Sequence, residues 1–173
     1  PFGGGDLAVD VSKGSWLNTL ITIVWIVGIC NSINFFDNLD GGAAGTVVAT
    51  TAGIFLIAYG QGQELISALA ILTAGATLGF LMWNKSPAKI YMGDAGALFL
   101  GVIVSVLTIR LNPGIAPRWN SIALMPMLLA IPLLDTSVAV LSRLYRRISP
   151  FTGGKDHLSH RLMRKGFSKK NTA

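Results

Sequence analysis

The chain has 173 residues, of which 51% are hydrophobic and only 13% charged, with mean hydropathy +0.58 and a formal net charge of +6. A soluble domain carries about 25% charged residues, so this balance excludes an ordinary soluble globule and points to an integral membrane protein. The single cysteine, Cys30, excludes an intramolecular disulfide framework.

Residues 1–14 are Gly-rich and polar and read as a loop, with no signal-peptide pattern. The first membrane span runs from about Trp16 to Phe36. From Gly14 to Phe36 there is no charge, and then polar groups arrive together as Asn31, Asn34, Asp37, Asn38 and Asp40, followed by Gly41 and Gly42. Such groups are costly in lipid unless water, partners or a metal receive them. Steps of three residues turn 300° on a helix, so Asn31 and Asn34 share a face, as do Asn34 and Asp37. Asn31 and Asp40 would point apart on a straight helix, so the spacing predicts a helix that tightens or ends near Asp37. Asp40 is then placed to cap the next helix.

The second span is predicted from about Ala43 to Tyr59, closed by the turn Gly60–Gln63. The third runs from Leu65 to Asn84, with Trp83 as an interface anchor. A polar loop follows, with Asn84, Lys85, Lys89, Gly93 and Asp94. The fourth span covers about Ala95–Leu111, and Asn112-Pro113-Gly114 breaks it. The fifth is predicted from about Ser121 to Leu144, interrupted by Pro126, Pro132 and one acid, Asp135. Each stretch is near the roughly 20 residues a bilayer crossing needs. The fold class is therefore all-α: a polytopic membrane protein of about five transmembrane helices, one membrane domain over 1–173, with 145–173 as a basic tail.

Five alternating spans put loops 37–42 and 84–94 and the tail on one side. That side carries Lys85, Lys89, Arg143, Arg146, Arg147, Lys155, Arg161, Arg164, Lys165, Lys169 and Lys170, which is 11 of the 14 Lys and Arg. The positive-inside rule makes it cytoplasmic. Three polar clusters on one face could then build one site.

Each cluster has a structural reading beside the functional one. Asp37, Asp40 and Asp94 are oxygen ligands of the kind Mg²⁺ accepts beside substrate phosphates, while Asp40 and Asp94 also stand where helix N-caps stand. The Lys85–Lys89 loop with Gly93 can cradle a phosphate through backbone N–H groups, or be an ordinary basic loop. His157 and His160 beside Arg161 read either as surface histidines on a basic tail or as a cationic loop that holds a diphosphate. Cys30 is the only thiol and there is no third His, so zinc is disfavoured. Asp135 is a functional candidate by default as an intramembrane acid, with a structural role equally open through Thr136, Ser137 or another helix. The basic tail suits anionic lipid headgroups, and no aromatic platform suggests nucleic acid.

These motifs resemble those of a known superfamily. Asn31-Ser-Ile-Asn34-Phe-Phe-Asp37-Asn38-Leu-Asp40-Gly41 is similar to the first signature of the polyprenyl-phosphate N-acetylhexosamine-1-phosphate transferases. Asn84-x-x-Pro87-Ala88-x-x-Tyr91-Met92-Gly93-Asp94-x-Gly96 resembles the second. Pro132-Leu-Leu-Asp135-Thr136, Ser149-Pro150-Phe151 and His157-Leu-Ser-His160-Arg161-Leu162 resemble the third region and the histidine motif, in forms closer to the N-acetylglucosamine branch. Asn38 stands where the pattern usually has Gly, and Ala95 and Ala97 replace Thr and Ser.

The resemblance implies that a polyprenyl (undecaprenyl) phosphate attacks a UDP-N-acetylhexosamine, releasing UMP at a bacterial-type cytoplasmic membrane with the active site facing the cytoplasm. Asp94 would ligate Mg²⁺, or Mn²⁺, with Asn84 nearby. Asn31, Asn34, Asp37 and Asn38 would belong to the uridine side, and Asp40 would support that loop. His157, His160 and Arg161 would contact the diphosphate, and the family leaves room for a homodimer. The family's paired-aspartate loop has no counterpart here, so the chain is expected to be the C-terminal portion of a longer enzyme and inactive alone. The competing expectations are a cation-coupled transporter built on Asp135 and the Asn/Asp break, and a non-catalytic relative that binds lipid phosphate or UDP-sugar.

Overall fold

The computed structural model describes residues 16–149 and 157–167. The predicted N-terminal loop, Pro150 and Phe151, and the charges at Lys155, Asp156, Lys169 and Lys170 lie outside the described residues. Within them the chain is helical throughout: α1 Trp16–Phe36, α2 Gly42–Gly60, α3 Glu64–Asn84, α4 Gly93–Arg110, α5 Arg118–Leu128, α6 Ala130–Tyr145 and α7 Leu158–Arg164. The first four are long and apolar enough to cross a membrane. They match the predicted spans to within two residues at each end.

The fifth span is corrected. It is two helices bent by 74° at Leu129. The break lies between the two prolines rather than at either. Pro132 occupies the third position of α6, inside a first turn whose N–H groups have no helical partner, so a missing donor costs little there. A continuous helix would have needed that donor for the carbonyl of Leu128. The Thr50 hydroxyl on α2 donates to that carbonyl instead, at 2.8 Å. Side-chain hydroxyls that take over freed backbone groups are what make proline breaks tolerable in lipid.

Two buried clusters hold the bundle. One joins Ile29, Ile33, Ala43, Val47, Ala97, Val104 and Leu129, and so ties α1, α2 and α4 to the α5–α6 bend. The other joins Ile54, Ala58, Ala70, Leu107 and Leu111 across α2, α3 and α4. Interfaces in lipid rely on small residues that let backbones approach. At Gly101 a Cβ would lie 2.7 Å from the Cα of Cys30, so only glycine permits the α1–α4 contact. The Trp25 indole donates to the Thr108 hydroxyl at 3.1 Å across the same pair of helices. Outward-facing Leu17, Ile23, Val24, Leu72, Leu78 and Phe99 remain exposed, as expected where lipid is the solvent.

At one end of the bundle Gln63 pairs twice with the backbone of Asn112, donating to its carbonyl at 2.6 Å and accepting from its N–H at 3.0 Å. This ties the α2–α3 turn to the segment after α4. The other end gathers the loops α1–α2 and α3–α4.

Candidate functional site at one rim of the bundle

The helix ends where the spacing required it. Helix α1 stops at Phe36, and the Asp37 N–H still bonds the carbonyl of Ile33 at 3.1 Å. Asn38 donates from its side-chain nitrogen to the carbonyl of Phe35 at 2.7 Å, satisfying one of the orphan acceptors of the last turn. Residues 37–41 then turn the chain into α2.

Asp40 does not cap α2. That position belongs to Gly41, at φ 80°, in the left-handed region open to glycine, with no side-chain cap. A side chain there would meet Leu81 and the backbone of Lys85 at 3.3 Å. The Gly41 N–H is taken up by Asn84 Oδ1 at 3.1 Å. Asn84, 2% exposed, also donates from Nδ2 to the carbonyl of Ile90 at 2.9 Å. One buried amide thus clips both polar loops together, using an acceptor and a donor that only Asn or Gln supplies. Asp40 is released to reach across the same gap, where its Oδ2 accepts from the Ala88 N–H at 3.3 Å.

Asp94 does not cap either. Helix α4 begins at Gly93 after Met92, so Asp94 is its second residue, exposed in the acid-favouring first turn. Across from it the Gly93 backbone N–H lies near enough to the Asp37 carboxylate to favour its charged form. Asp37 and Asp94 thereby meet closely enough for their charges to interact. Burial pushes the Asp37 carboxyl from its ordinary 3.8 up to about 6; the Gly93 N–H pulls against this, and the Asp94 charge adds to it.

The histidine segment is also corrected. His157 is buried, and it starts a short helix instead of lying on an exposed tail. Its Nδ1 lies 2.7 Å from Asp135 Oδ2, and Asp135 Oδ1 accepts the Leu158 N–H at 2.7 Å. Asp135, the acid behind the transporter expectation, is fully enclosed and spends both oxygens on the α7 segment. Phe35 at the end of α1 meets the His157 ring edge-on at 6.2 Å, and His160 lies 6.4 Å from His157. The Arg143 guanidinium sits over the Phe35 ring at 5.9 Å. Sequence reasoning left Asp135 out of the candidate site. The signal that would have placed it there was its intramembrane position combined with the paired histidines downstream.

Other candidates sort differently. Asn31 donates to the carbonyl of Val27 at 2.8 Å and lines a cavity of about 350 Å³ with Ser32, Phe35, Thr136 and Ser137, on the α6 side of α1. Asn34 is half-buried one turn before the helix end. Lys85 is exposed, and the Lys89 ammonium rests 5.2 Å from the Trp83 ring centre. Arg161 is exposed on α7. No group of three His, Cys, Asp or Glu is poised as a complete metal cage among the described residues. A larger apolar cavity of about 580 Å³ lies between α1 and the α5–α6 bend, and shares Gly28 and Leu133 with the smaller one.

Four to five apolar spans with their chemistry-bearing side chains gathered at one end define an integral membrane protein with a polar rim site. A family-wide sequence model, glycosyl transferase family 4, matches residues 2–112, and the chain belongs to that family. It is 40% identical over 153 residues to a probable undecaprenyl-phosphate N-acetylglucosaminyl 1-phosphate transferase of Bacillus subtilis, covering 88% of this chain and 42% of that protein. It is 33% identical over 187 residues to a decaprenyl-phosphate N-acetylglucosaminephosphotransferase of Mycobacterium leprae, covering 97% and 46%. A phospho-N-acetylmuramoyl-pentapeptide-transferase of Lacticaseibacillus paracasei is 41% identical over 100 residues, covering 58% and 31%. The chain therefore spans less than half the length of these relatives.

Proposed function

We propose that this chain carries the donor-handling part of a transferase that moves N-acetylhexosamine 1-phosphate, most plainly GlcNAc 1-phosphate, from a UDP-sugar to a polyprenyl phosphate and releases UMP. The observation that carries this reading is the meeting of Asp37 with Gly93 and Asp94 at the end where Asn84 and Asp40 clip the two loops. The family and the relatives' names support the same chemistry.

The residues present fit a magnesium ion. The Asp94 charge beside Asp37 adds to the proton affinity of the Asp37 carboxyl, a like-charge pairing that a divalent cation would relieve, and Mg²⁺ takes one or two carboxylates plus phosphate oxygens and water rather than a full protein cage. Asp94 would ligate the ion, with Asp37 beside it. When bound, Mg²⁺ offsets the charge of the diphosphate and of the departing UMP. The chain's own task is positioning. Asn34, Asp37 and Asn38 line the uridine side; Lys85 and Lys89 border it with positive charge; His157, His160 and Arg161 face the diphosphate. Asn84 and Asp40 act by fixing the loops.

The apolar cavity against α1 shares Gly28 and Leu133 with the smaller cavity, which Phe35 lines. A prenyl tail lying there keeps its phosphate at the rim. The surplus of Lys and Arg makes that rim cytoplasmic, in a bacterial-type inner membrane.

The test is UMP release by the full-length protein from UDP-GlcNAc and undecaprenyl phosphate in detergent or bilayers. Release that requires both substrates and Mg²⁺, and that D94N abolishes, supports the reading. Donor binding without UMP would make the protein a non-catalytic relative, and cation flux without UMP would make it a transporter.

A further inference from the structure

Asp135 lies outside the rim carboxylates, and its geometry is specific. It is fully buried, yet both of its oxygens are engaged at 2.7 Å, one by the His157 ring and one by the Leu158 N–H. A buried carboxylate with a single partner would leave lone pairs unsatisfied at a cost. Here the two donors come from consecutive residues, His157 and Leu158, at the start of α7. The ring orientation and the start of α7 are fixed by one side chain.

We infer that Asp135 is the positioning residue for His157: its carboxylate holds the proton on Nδ1 and leaves Nε2 as the ring nitrogen presented to the diphosphate. The proposal rests on the transfer reading given above. The chemistry follows from the two ring nitrogens. A carboxylate only accepts, so the nitrogen facing it carries hydrogen. His157 keeps 9% of its side-chain surface exposed, so it is less tightly sealed than Asp135, at 0%. The Phe35 ring packs against the imidazole and limits its tilt. Carboxylates that orient a working histidine in this way recur at metal sites and in hydrolase triads, where their loss costs far more than their distance from substrate suggests.

Asn at this position makes the reversed demand. In D135N the amide oxygen can keep the Leu158 N–H, while the amide nitrogen donates toward Nδ1 and drives the proton to Nε2. The fold of the segment is retained and the tautomer is inverted, which separates positioning from mere support.

Two measurements on the full-length protein test this. In the first, nitrogen-15 histidine spectra in bilayers, with H157Q to assign the signal, read which ring nitrogen is protonated. The expected result is a proton on Nδ1; a bare Nδ1 with the proton on Nε2 overturns the proposal. This needs no Asp135 variant to fold. In the second, UMP release is compared for wild type, D135N, H157Q and the double variant. D135N is expected to lose on the order of 10- to 100-fold, and D135N/H157Q to fall no further than H157Q alone. Losses that multiply would show Asp135 acting independently of His157 and overturn it. Should the wild type release no UMP, the transfer reading fails on its own, while the ring spectrum still decides what Asp135 does.

Discussion

The two carboxylate environments at this end of the bundle are built in opposite ways. At the α1–α4 corner, burial pushes Asp37 up to about 6, with the Gly93 N–H pulling against this and the Asp94 charge adding to it. At the α6–α7 corner, Asp135 is sealed from solvent and saturated by two short hydrogen bonds. An acid left short of partners and next to a like charge is arranged to receive something positive. An acid saturated by its own chain is arranged to hold that chain still. On the proposed reading the first corner would receive the ligand, while the second holds its own chain in place.

Removing a charge from the first corner should have the largest effect. D94N in the full-length protein is expected to lower UMP release on the order of 10³-fold, as for other groups that face the charge of a reacting centre, with the melting midpoint little changed. A small loss in that kinetic assay would move the metal away from Asp94.

Unclipping the loops comes next. N84A leaves the Gly41 N–H and the Ile90 carbonyl without their partner. It is expected to cost about 1–3 kcal/mol by thermal melting and roughly 10- to 100-fold in turnover. Activity that survives alongside lost stability would separate the clip from the site.

A change remote from both corners sharpens the comparison. G101A inserts a methyl 2.7 Å from the Cys30 Cα and is expected to cost about 1–3 kcal/mol in melting by prising α1 from α4. Because α1 leads directly into Asp37 and α4 carries Asp94, donor affinity should fall with it, whereas the Asp135–His157 pair should keep its ring spectrum.

The smallest effect is in pH. Asp37 has its folded-state pKa raised from 3.8 to about 6, so its contribution to stability is fully present below 3.8 and is lost as pH rises through about 6. D37N removes this dependence. The variant should therefore gain melting temperature relative to wild type between pH 4 and pH 7, with the gain complete above pH 6. A difference that stays flat across that range would mean Asp37 is not buried against Asp94.

Much of the fold was legible because lipid imposes it. Uncharged runs near 20 residues long gave four spans with nearly correct ends, and the amide and carboxylate steps placed the end of α1 at Phe36. Legibility failed where partners distant in sequence decide. Asp40 and Asp94 precede small residues and apolar runs as caps do, but Gly41 and Met92 take the cap positions, because the Asn84 amide engages the Gly41 N–H and α4 begins two residues earlier than expected. The bend at Leu129 depends on the Thr50 hydroxyl, 78 residues away in sequence. The sequence leaves His157 open between a surface residue and a diphosphate contact; only the packing sets Asp135, 22 residues earlier, beside it. Local pattern located the polar groups; only the packing showed which of them are engaged with each other.

The central proposal is that Asp94, with Asp37 beside it, holds one divalent cation against a nucleotide diphosphate. Mn²⁺ in place of Mg²⁺, with UDP-GlcNAc added to the full-length protein, tests it by phosphorus-31 electron–nuclear double resonance. The account predicts a phosphorus coupling of directly coordinated phosphate that disappears in D94N and weakens in D37N. Mn²⁺ bound equally well by D94N with its phosphorus coupling intact would contradict it.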